Sequence, residues 1–217
     1  MLIIFDCDGV LVESEVLGAR AFSEELAKLS ISLSPAECEA LFVGKTVKNC
    51  VDFLSNTYPG KIPSDFITTI DTASEALFDR EMQAIPGVAD VLAGLQKQGI
   101  PRCVASNGSL RKISNSLRRT QLTDFFEGHI FSAEMVARPK PAPDLYLHAA
   151  KTMGVAPQFC LVIEDSEVGM KAALAAGIKT ILFRPPYRAV HFVAPPEVIL
   201  LDDMSKLPEI IAQTTVS

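Results

Sequence analysis

The sequence predicts an α/β protein, a Rossmann-like doubly wound parallel sheet with an inserted α-helical cap domain, from two observations. Six short runs rich in Ile, Val and Leu lack the polar alternation of a half-exposed strand, which is typical of strands buried on both faces. Patterns with helical spacing separate most of these runs, and strands that alternate with helices favour a parallel sheet. The predicted strands cover residues 2–5, 101–105, 129–131, 160–163, 178–183 and 198–201.

Two of the predicted helices have clear ends. Val88, Leu92 and Leu95 are spaced by four and three residues, which puts them on one helix face, and Gly99 follows where many helices end. Residues 168–176 are rich in alanine and are followed by Gly177 in the same way. Each of these helices leads into a predicted strand.

The interval between the first two strands is long and contains only helical patterns. Within it, Ser34-Pro35-Ala36-Glu37 matches a capping box with proline at the first helical position. We therefore expect residues 14–82 to form a helical cap, inserted into an α/β core made of residues 1–13 and 83–217. The cap would lie above the C-terminal end of the first strand, where open α/β sheets bind their ligands.

Composition narrows the possible functions. Hydrophobic residues make up 48% and charged residues 21% of the 217 residues, so a buried core is expected. The formal net charge is -6 without a Lys/Arg cluster, which argues against nucleic acid as a partner. No apolar run approaches the ~18 residues that span a bilayer, so no membrane segment is expected. The five cysteines form no CxxC pair, and free thiols, a cytoplasmic location and a monomer are the simplest expectations.

The strongest chemical signal follows the first strand, where Asp6 and Asp8 flank a single residue and Gly9 permits a tight turn. An extended chain points Asp6 and Asp8 to the same side. Two carboxylates at such a short distance repel each other unless a cation or a shared proton neutralises them. Carboxylates with backbone carbonyls nearby form a hard-oxygen site that suits magnesium. An ordinary acidic loop after a strand is the alternative interpretation.

A second signal follows the strand at 101–105, where Ser106 and Asn107 precede Gly108. Backbone N–H groups at such a strand end can hold phosphate oxygens, and the hydroxyl adds one more hydrogen bond. The alternative is a turn in which Ser106 or Ser109 caps a helix.

A third signal is Lys140, which lies between Pro139 and Pro141 in a stiff, extended segment. A fixed ammonium is useful where negative charge accumulates during phosphoryl transfer. A solvent-exposed lysine in a proline loop is the alternative.

A fourth signal is the acidic pair Glu164 and Asp165 directly after the strand at 160–163. These acids could complete a magnesium shell with Asp6. Asp165 or Ser166 could also cap the following helix, and both interpretations can hold together. All four signals occur at the C-terminal ends of predicted strands, which converge on one crevice in a parallel sheet.

The order DxDG, SN, KP and ED resembles the haloacid dehalogenase superfamily, and the motifs run from residue 6 to residue 166. Residues 11–15, Gly169 and residues 175–177 look like the branch of β-phosphoglucomutases and sugar phosphatases. The resemblance implies a phosphatase that acts on a small phosphorylated metabolite, either a sugar phosphate or a phosphorylated sugar acid.

The resemblance also implies roles for individual residues. Asp6 would attack phosphorus and form an aspartyl phosphate, while Asp8 would protonate the leaving oxygen and later deprotonate water. Ser106 would hold a phosphate oxygen with the help of the Asn107 backbone N–H. Lys140 would neutralise charge near Asp6.

The cofactor implied by the resemblance is Mg2+. Its ligands would be the Asp6 carboxylate, the Asp8 carbonyl and Asp165, with Glu164 either a direct ligand or one step further out. The haloacid dehalogenases themselves lack the second acid of DxD, so Asp8 points toward phosphate esters.

The cap would supply further substrate contacts. Gly44, Lys45 and Lys48 lie between two of its predicted helices, in a loop that touches the substrate in relatives. The two lysines could therefore meet an anionic group. A polar helix–helix turn with an exposed lysine pair is the alternative.

The nearest alternative function is a phosphosugar mutase of the β-phosphoglucomutase type. The segment at 77–87 is short and lacks the longer, lysine-bearing connection associated with mutases, which favours a phosphatase. Val10 points the other way, because many phosphatases carry threonine there. A receiver-type signalling domain fits less well, because its phosphorylated aspartate lies mid-chain and the acid pair here opens the sequence.

Overall fold

A six-stranded, all-parallel sheet organises the computed structural model, which describes residues 1–42, 45–126, 128–188 and 192–215. The spatial order is β3-β2-β1-β4-β5-β6, so β1 lies at the centre, and the predicted doubly wound parallel sheet is confirmed. The strands are β1 (Leu2–Phe5), β2 (Arg102–Ser106), β3 (Ile130–Ser132), β4 (Cys160–Glu164), β5 (Lys179–Phe183) and β6 (Ile199–Leu201).

Helices connect these strands and fill the interval after β1. In the described residues they are α1 (Glu15–Lys28), α2 (Pro35–Phe42), α3 (Val47–Thr57), α4 (Phe66–Glu81), α5 (Val88–Lys97), α6 (Leu110–Arg119), α7 (Asp144–Thr152), α8 (Glu167–Ala175) and α9 (Leu207–Thr215). None of them is long and apolar enough to cross a membrane.

The chain forms two compact units. The first contains residues 1–12 and 83–217, which hold the sheet and α5 to α9. The second contains residues 13–82, which hold α1 to α4.

The first unit is built on both faces of β1, whose four residues are fully buried. Successive side chains of a strand point to opposite faces. Leu2 and Ile4 therefore pack in a cluster with Leu145 and Ala149 of α7 and with residues of α8. Phe5 points to the other face, where its ring lies 6.0 Å from the ring of Phe126. Burial on both faces explains why the strand is an uninterrupted apolar run.

The second unit has its own apolar core, contributed by α1 to α4 and including Phe22, Leu26, Leu54 and Ile70. The capping box predicted at the start of α2 is confirmed. The Ser34 N–H donates to Glu37 Oε2 at 2.7 Å, and the Glu37 N–H donates back to Ser34 Oγ at 3.3 Å.

The register of the sheet determines where chemistry can occur. Phe5 at the end of β1 is level with Val104 of β2 and with Ile163 of β4. Asp6 directly follows Phe5, Glu164 directly follows Ile163, and Ser106 lies two residues after Val104. All three therefore reach the same edge of the sheet. Parallel strands make this possible because their carboxyl ends all lie on one side.

Candidate active site

A buried ion-pair cluster forms the centre of this edge. The Lys140 ammonium lies 2.7 Å from Asp6 Oδ1 and 2.6 Å from Glu164 Oε1. Only 3% of the Lys140 side chain and 1% of the Glu164 side chain are exposed. The alternative of a solvent-exposed lysine is therefore wrong: Lys140 is a buried cation shared by two carboxylates.

Glu164 is held rigidly by its surroundings. Its Oε1 accepts a hydrogen bond from the Tyr146 hydroxyl at 2.8 Å in addition to the one from Lys140. Its Oε2 accepts from the Asp165 N–H at 3.0 Å, the Ser166 N–H at 3.1 Å and the Ser166 hydroxyl at 2.9 Å. Five donors thus fix the carboxylate, and Glu164 can anchor Lys140 whether or not it also binds a metal.

Asn107 ties the end of β2 to the segment that carries Lys140. The Asn107 side-chain amide donates to the Lys140 carbonyl at 3.1 Å, and the Lys140 N–H donates to Asn107 Oδ1 at 3.0 Å. These two hydrogen bonds fix the Lys140 peptide against the end of β2. Sequence reasoning considered only the Asn107 backbone N–H and missed this side-chain contact.

Ser106 and Ser109, near the end of β2, have different roles. Ser106 is buried at the last position of the strand, and its hydroxyl accepts from the Gly108 N–H at 3.2 Å. Ser109 caps α6 by accepting from the Lys112 N–H at 3.2 Å. Ser109 rather than Ser106 is therefore the helix cap, and Ser106 stays at the site.

Burial controls the protonation of the central carboxylates. Burial raises the pKa of Asp6 to about 7, an effect that the Lys140 ammonium opposes and that Glu164 and Asp8 strengthen. Burial acts in the same direction on Glu164, but Lys140 and the Tyr146 hydrogen bond outweigh it and lower the pKa of Glu164. Lys140 remains an ammonium, because its two carboxylate partners overcome burial and raise its pKa. Further positive charge near Asp6 would favour its ionised form.

A cluster of acids at this edge fits a metal ion. Asp6, Glu164 and Asp165 each present a carboxylate oxygen, and these oxygens all lie within 4.8 Å of one another. Carboxylate oxygens are the ligands that magnesium prefers, and a further cation would reduce the repulsion among these acids. The donor set is therefore chemically suited to a hard divalent ion.

Two cations at the site were missed by sequence reasoning. Lys112 of α6 places its ammonium 2.8 Å from Asp8 Oδ2. Arg188 lies after β5 and donates from Nη1 to Asp165 Oδ2 at 3.1 Å and to the Gly9 carbonyl at 2.8 Å. Lys112 lies in the first turn of α6, soon after the Ser106-Asn107 motif at the end of β2, and this position could have indicated its role. Arg188 is in a loop without any motif, so no local pattern signalled it.

Two glycines allow the acids to come together. Gly9 has a φ of 79°, and a Cβ there would overlap the Asp165 carboxylate and crowd Arg188. A Cβ on Gly169, in the first turn of α8, would overlap the Glu164 carboxylate. Both positions therefore require glycine for close approach of an acid.

The predicted cap residues lie in the second unit. The Lys45 ammonium donates to the Leu41 carbonyl at 2.6 Å and lies 5.5 Å from the centre of the Phe53 ring. Lys48 lies in the first turn of α3 rather than between two helices, and it pairs with Asp52 at 2.5 Å on the surface of that helix. Gly44 lies outside the described residues.

Comparison with known proteins identifies the family. The family model described as haloacid dehalogenase-like hydrolase matches residues 3–183. The chain is 32% identical to 6-phosphogluconate phosphatase of Escherichia coli (strain K12), over 96% of this chain and 93% of that protein. It is 33% identical to hexitol phosphatase A of the same organism, over 84% of this chain and 82% of that protein.

A solved structure agrees with these matches. It is the haloacid dehalogenase family hydrolase of Deinococcus radiodurans R1 with bound phosphate and sodium, which is 31% identical. The TM-score is 0.87, over 99% of this chain and 96% of that one. The chain therefore belongs to the haloacid dehalogenase-like hydrolases, and the predicted enzyme class, a phosphoric monoester hydrolase, is confirmed.

Replacing Gly169 with alanine should impair the enzyme. The added Cβ would overlap the Glu164 carboxylate, which must then move and loosen its hold on Lys140. We expect phosphate release to fall by about tenfold or more, since small displacements of catalytic groups have effects of this size. Steady-state phosphate release and equilibrium unfolding measure the two consequences.

The matched control is Gly94→Ala in α5, where a Cβ meets nothing within 4 Å. This variant should keep full activity and gain roughly 0.5–1 kcal/mol in the free energy of unfolding, because alanine favours a helix. Wild-type activity in Gly169→Ala would show that the position of Glu164 is not important for turnover.

Proposed function

We propose that this protein is a Mg2+-dependent phosphatase that hydrolyses a sugar phosphate or a phosphorylated sugar acid through an aspartyl phosphate on Asp6. The observation that carries the proposal is the Asp6 carboxylate, buried at the end of β1 and paired with Lys140, which Glu164 anchors. A nucleophile held in one orientation and next to a fixed positive charge is what phosphoryl transfer requires.

The first step is transfer of the phosphoryl group to Asp6. A carboxylate oxygen of Asp6 forms a bond to phosphorus while the bond from phosphorus to the leaving oxygen breaks, and Asp8 gives that oxygen a proton. Lys140 keeps positive charge beside Asp6. Ser106 and the backbone N–H of Asn107 hold the phosphoryl oxygens.

The second step releases phosphate. Asp8, now a carboxylate, accepts a proton from water as the water oxygen attacks phosphorus. The bond from phosphorus to Asp6 breaks, and the Asp6 carboxylate returns to its pairing with Lys140. The same acid thus serves both steps, and the enzyme ends in its starting state.

The cofactor would be held by the acids at the strand ends. The Asp6 carboxylate, the Asp8 carbonyl and Asp165 are the proposed ligands, with Glu164 as a ligand or as a support one step out. Bound there, Mg2+ would offset the negative charge of the phosphoryl oxygens and of the acids that surround them.

The substrate class is suggested by the relatives, which are named as phosphatases of 6-phosphogluconate and of hexitol phosphates. Both names describe phosphate esters of six-carbon compounds, which supports a sugar phosphate or a phosphorylated sugar acid as the substrate. We further propose that Lys45 and Lys48 in the second unit, with Gly44, help to select an anionic substrate.

Asp6→Asn should abolish turnover without unfolding the protein, because an amide cannot attack phosphorus as a carboxylate does. Phosphate release is measured with a panel that includes 6-phosphogluconate, sorbitol 6-phosphate and β-glucose 1-phosphate, with and without Mg2+. The wild type should release phosphate only with Mg2+, and Asp6→Asn should lose on the order of 10³-fold or more in kcat.

Circular dichroism of Asp6→Asn serves as the folding control and should match the wild type. Retained activity would eliminate Asp6 as the nucleophile. Conversion of the sugar 1-phosphate to its 6-phosphate, without phosphate release from any compound, would instead identify a mutase.

Asp165→Asn should weaken the binding of Mg2+, because it removes one charged oxygen ligand. Titration calorimetry on the resting protein should show a Kd raised by about tenfold or more, an effect typical of lost metal-site contacts. The control is Asp202→Asn, which changes an exposed aspartate paired with Lys206 and should bind Mg2+ as the wild type does. Unchanged Mg2+ affinity in Asp165→Asn would remove Asp165 from the proposed ligand set.

Lys45→Ala and Lys48→Ala should raise KM for a phosphorylated sugar acid by about fivefold, which corresponds to the ~1 kcal/mol of one exposed ionic contact. The KM for 4-nitrophenyl phosphate, which has no second anionic group, should stay unchanged. Lys61→Ala provides the control, since Lys61 is an exposed lysine of the same unit. Wild-type kinetics of both variants on every compound of the panel would exclude the two lysines from substrate selection.

A further inference from the structure

Lys112 makes a long-range ion pair with the second aspartate of the site. Its Nζ lies 2.8 Å from Asp8 Oδ2, although the two residues are 104 positions apart in the chain. The side chains are 40% and 24% exposed, so the pair is partly open to solvent, unlike the buried pairs of Lys140. Burial lowers the pKa of Lys112, but Asp8 more than compensates, and Lys112 stays an ammonium.

Local structure aims Lys112 at Asp8. Ser109 caps α6 by accepting from the Lys112 N–H, which fixes the first turn of the helix at the end of β2. The lysine side chain then passes close to Gly108, where a Cβ would lie 3.6 Å from Lys112 Cδ. Because β1 and β2 are neighbours in the sheet, this path ends at the residues that follow β1.

The two lysines of the site have different partners. Lys140 serves the nucleophile side, since it bonds to Asp6 and to its anchor Glu164. Lys112 bonds to Oδ2 of Asp8, and the proton that Asp8 gives to the leaving oxygen in the proposed reaction is carried by the other oxygen of the same carboxyl group. The ammonium of Lys112 therefore orients the Asp8 carboxyl group, whereas the ammonium of Lys140 orients the Asp6 carboxylate.

We propose that Lys112 is a positioning residue that holds Asp8 toward the leaving oxygen, and that it thereby allows poor leaving groups to depart. The proposal rests on the proposed function, because it assigns Lys112 a part in that reaction. It goes beyond that function by assigning Lys112 to departure of the leaving group rather than to binding of the phosphate group.

The chemistry of the leaving group makes the two roles separable. An alkyl phosphate releases an alkoxide, which is strongly basic and needs a proton as it leaves. 4-Nitrophenyl phosphate releases a stable anion that needs none. A residue that acts through Asp8 should therefore matter for the alkyl ester only. A residue that binds phosphate or supports the fold should affect both esters alike.

The experiment compares Lys112→Met and Lys112→Arg with the wild type on two substrates. These are 4-nitrophenyl phosphate and the best alkyl phosphate of the panel, and kcat/KM is measured because it reports the steps up to phosphorylation of Asp6. Lys112→Met should lose roughly 10- to 100-fold on the alkyl ester, below the full contribution of a general acid, and at most about threefold on the aryl ester. Lys112→Arg, which keeps the cation, should recover most of the loss.

Three variants serve as controls. Arg111→Met removes an exposed cation from the same turn of α6 and should leave both substrates unaffected. Asp8→Asn should show the same selective loss on the alkyl ester as Lys112→Met, or a larger one. The double variant should be no worse than Asp8→Asn alone, because Lys112 then has no proton donor to position.

Equal losses on both substrates in Lys112→Met would overturn the proposal, since they would reflect phosphate binding or the fold. Full activity of Lys112→Met on both substrates would overturn it as well, because the ion pair would then not contribute to catalysis. Failure of the wild type to release phosphate from either compound would instead refute the proposed function itself. The two failures are therefore distinguishable.

Discussion

The site depends on one buried ammonium shared by two buried carboxylates. Lys140 bonds to Asp6 and Glu164 in surroundings from which water is almost excluded. Loss of the ammonium would leave buried carboxylates without a counter-charge, which costs about 3–5 kcal/mol. Tyr146 bonds to Glu164, and the Asn107 side chain bonds to the Lys140 peptide. These bonds fix the geometry, so that Asp6 is presented in one orientation.

The parallel sheet makes the cluster possible. Asp6 and Lys140 are 134 positions apart in the chain, and Glu164 follows 24 positions after Lys140. A sheet whose parallel strands all end at one edge brings such distant segments to the same point. The short apolar strands therefore have two effects: they bury the core, and they set the positions of the polar residues that follow them.

Charge balance explains why the site is suited to binding anions together with a metal ion. Among the described residues, the acids Asp6, Asp8, Glu164 and Asp165 face the cations Lys112, Lys140 and Arg188. When all four acids are ionised, four negative charges against three positive ones leave a deficit of positive charge. A divalent cation would reverse that deficit, and the site could then accept a phosphate group.

The sequence by itself determined the strands, the helix cap at Ser34 and the motifs at the strand ends, because apolar runs, capping boxes and strand-to-loop changes are local patterns. It also revealed the family, since several weak motifs in one order are specific together. Only the tertiary structure decided that Lys140 is buried, that the Asn107 side chain holds its peptide, and that Lys112 and Arg188 join the site. These features depend on which distant segments the sheet brings together, and apart from the position of Lys112 soon after β2 no local pattern indicates them.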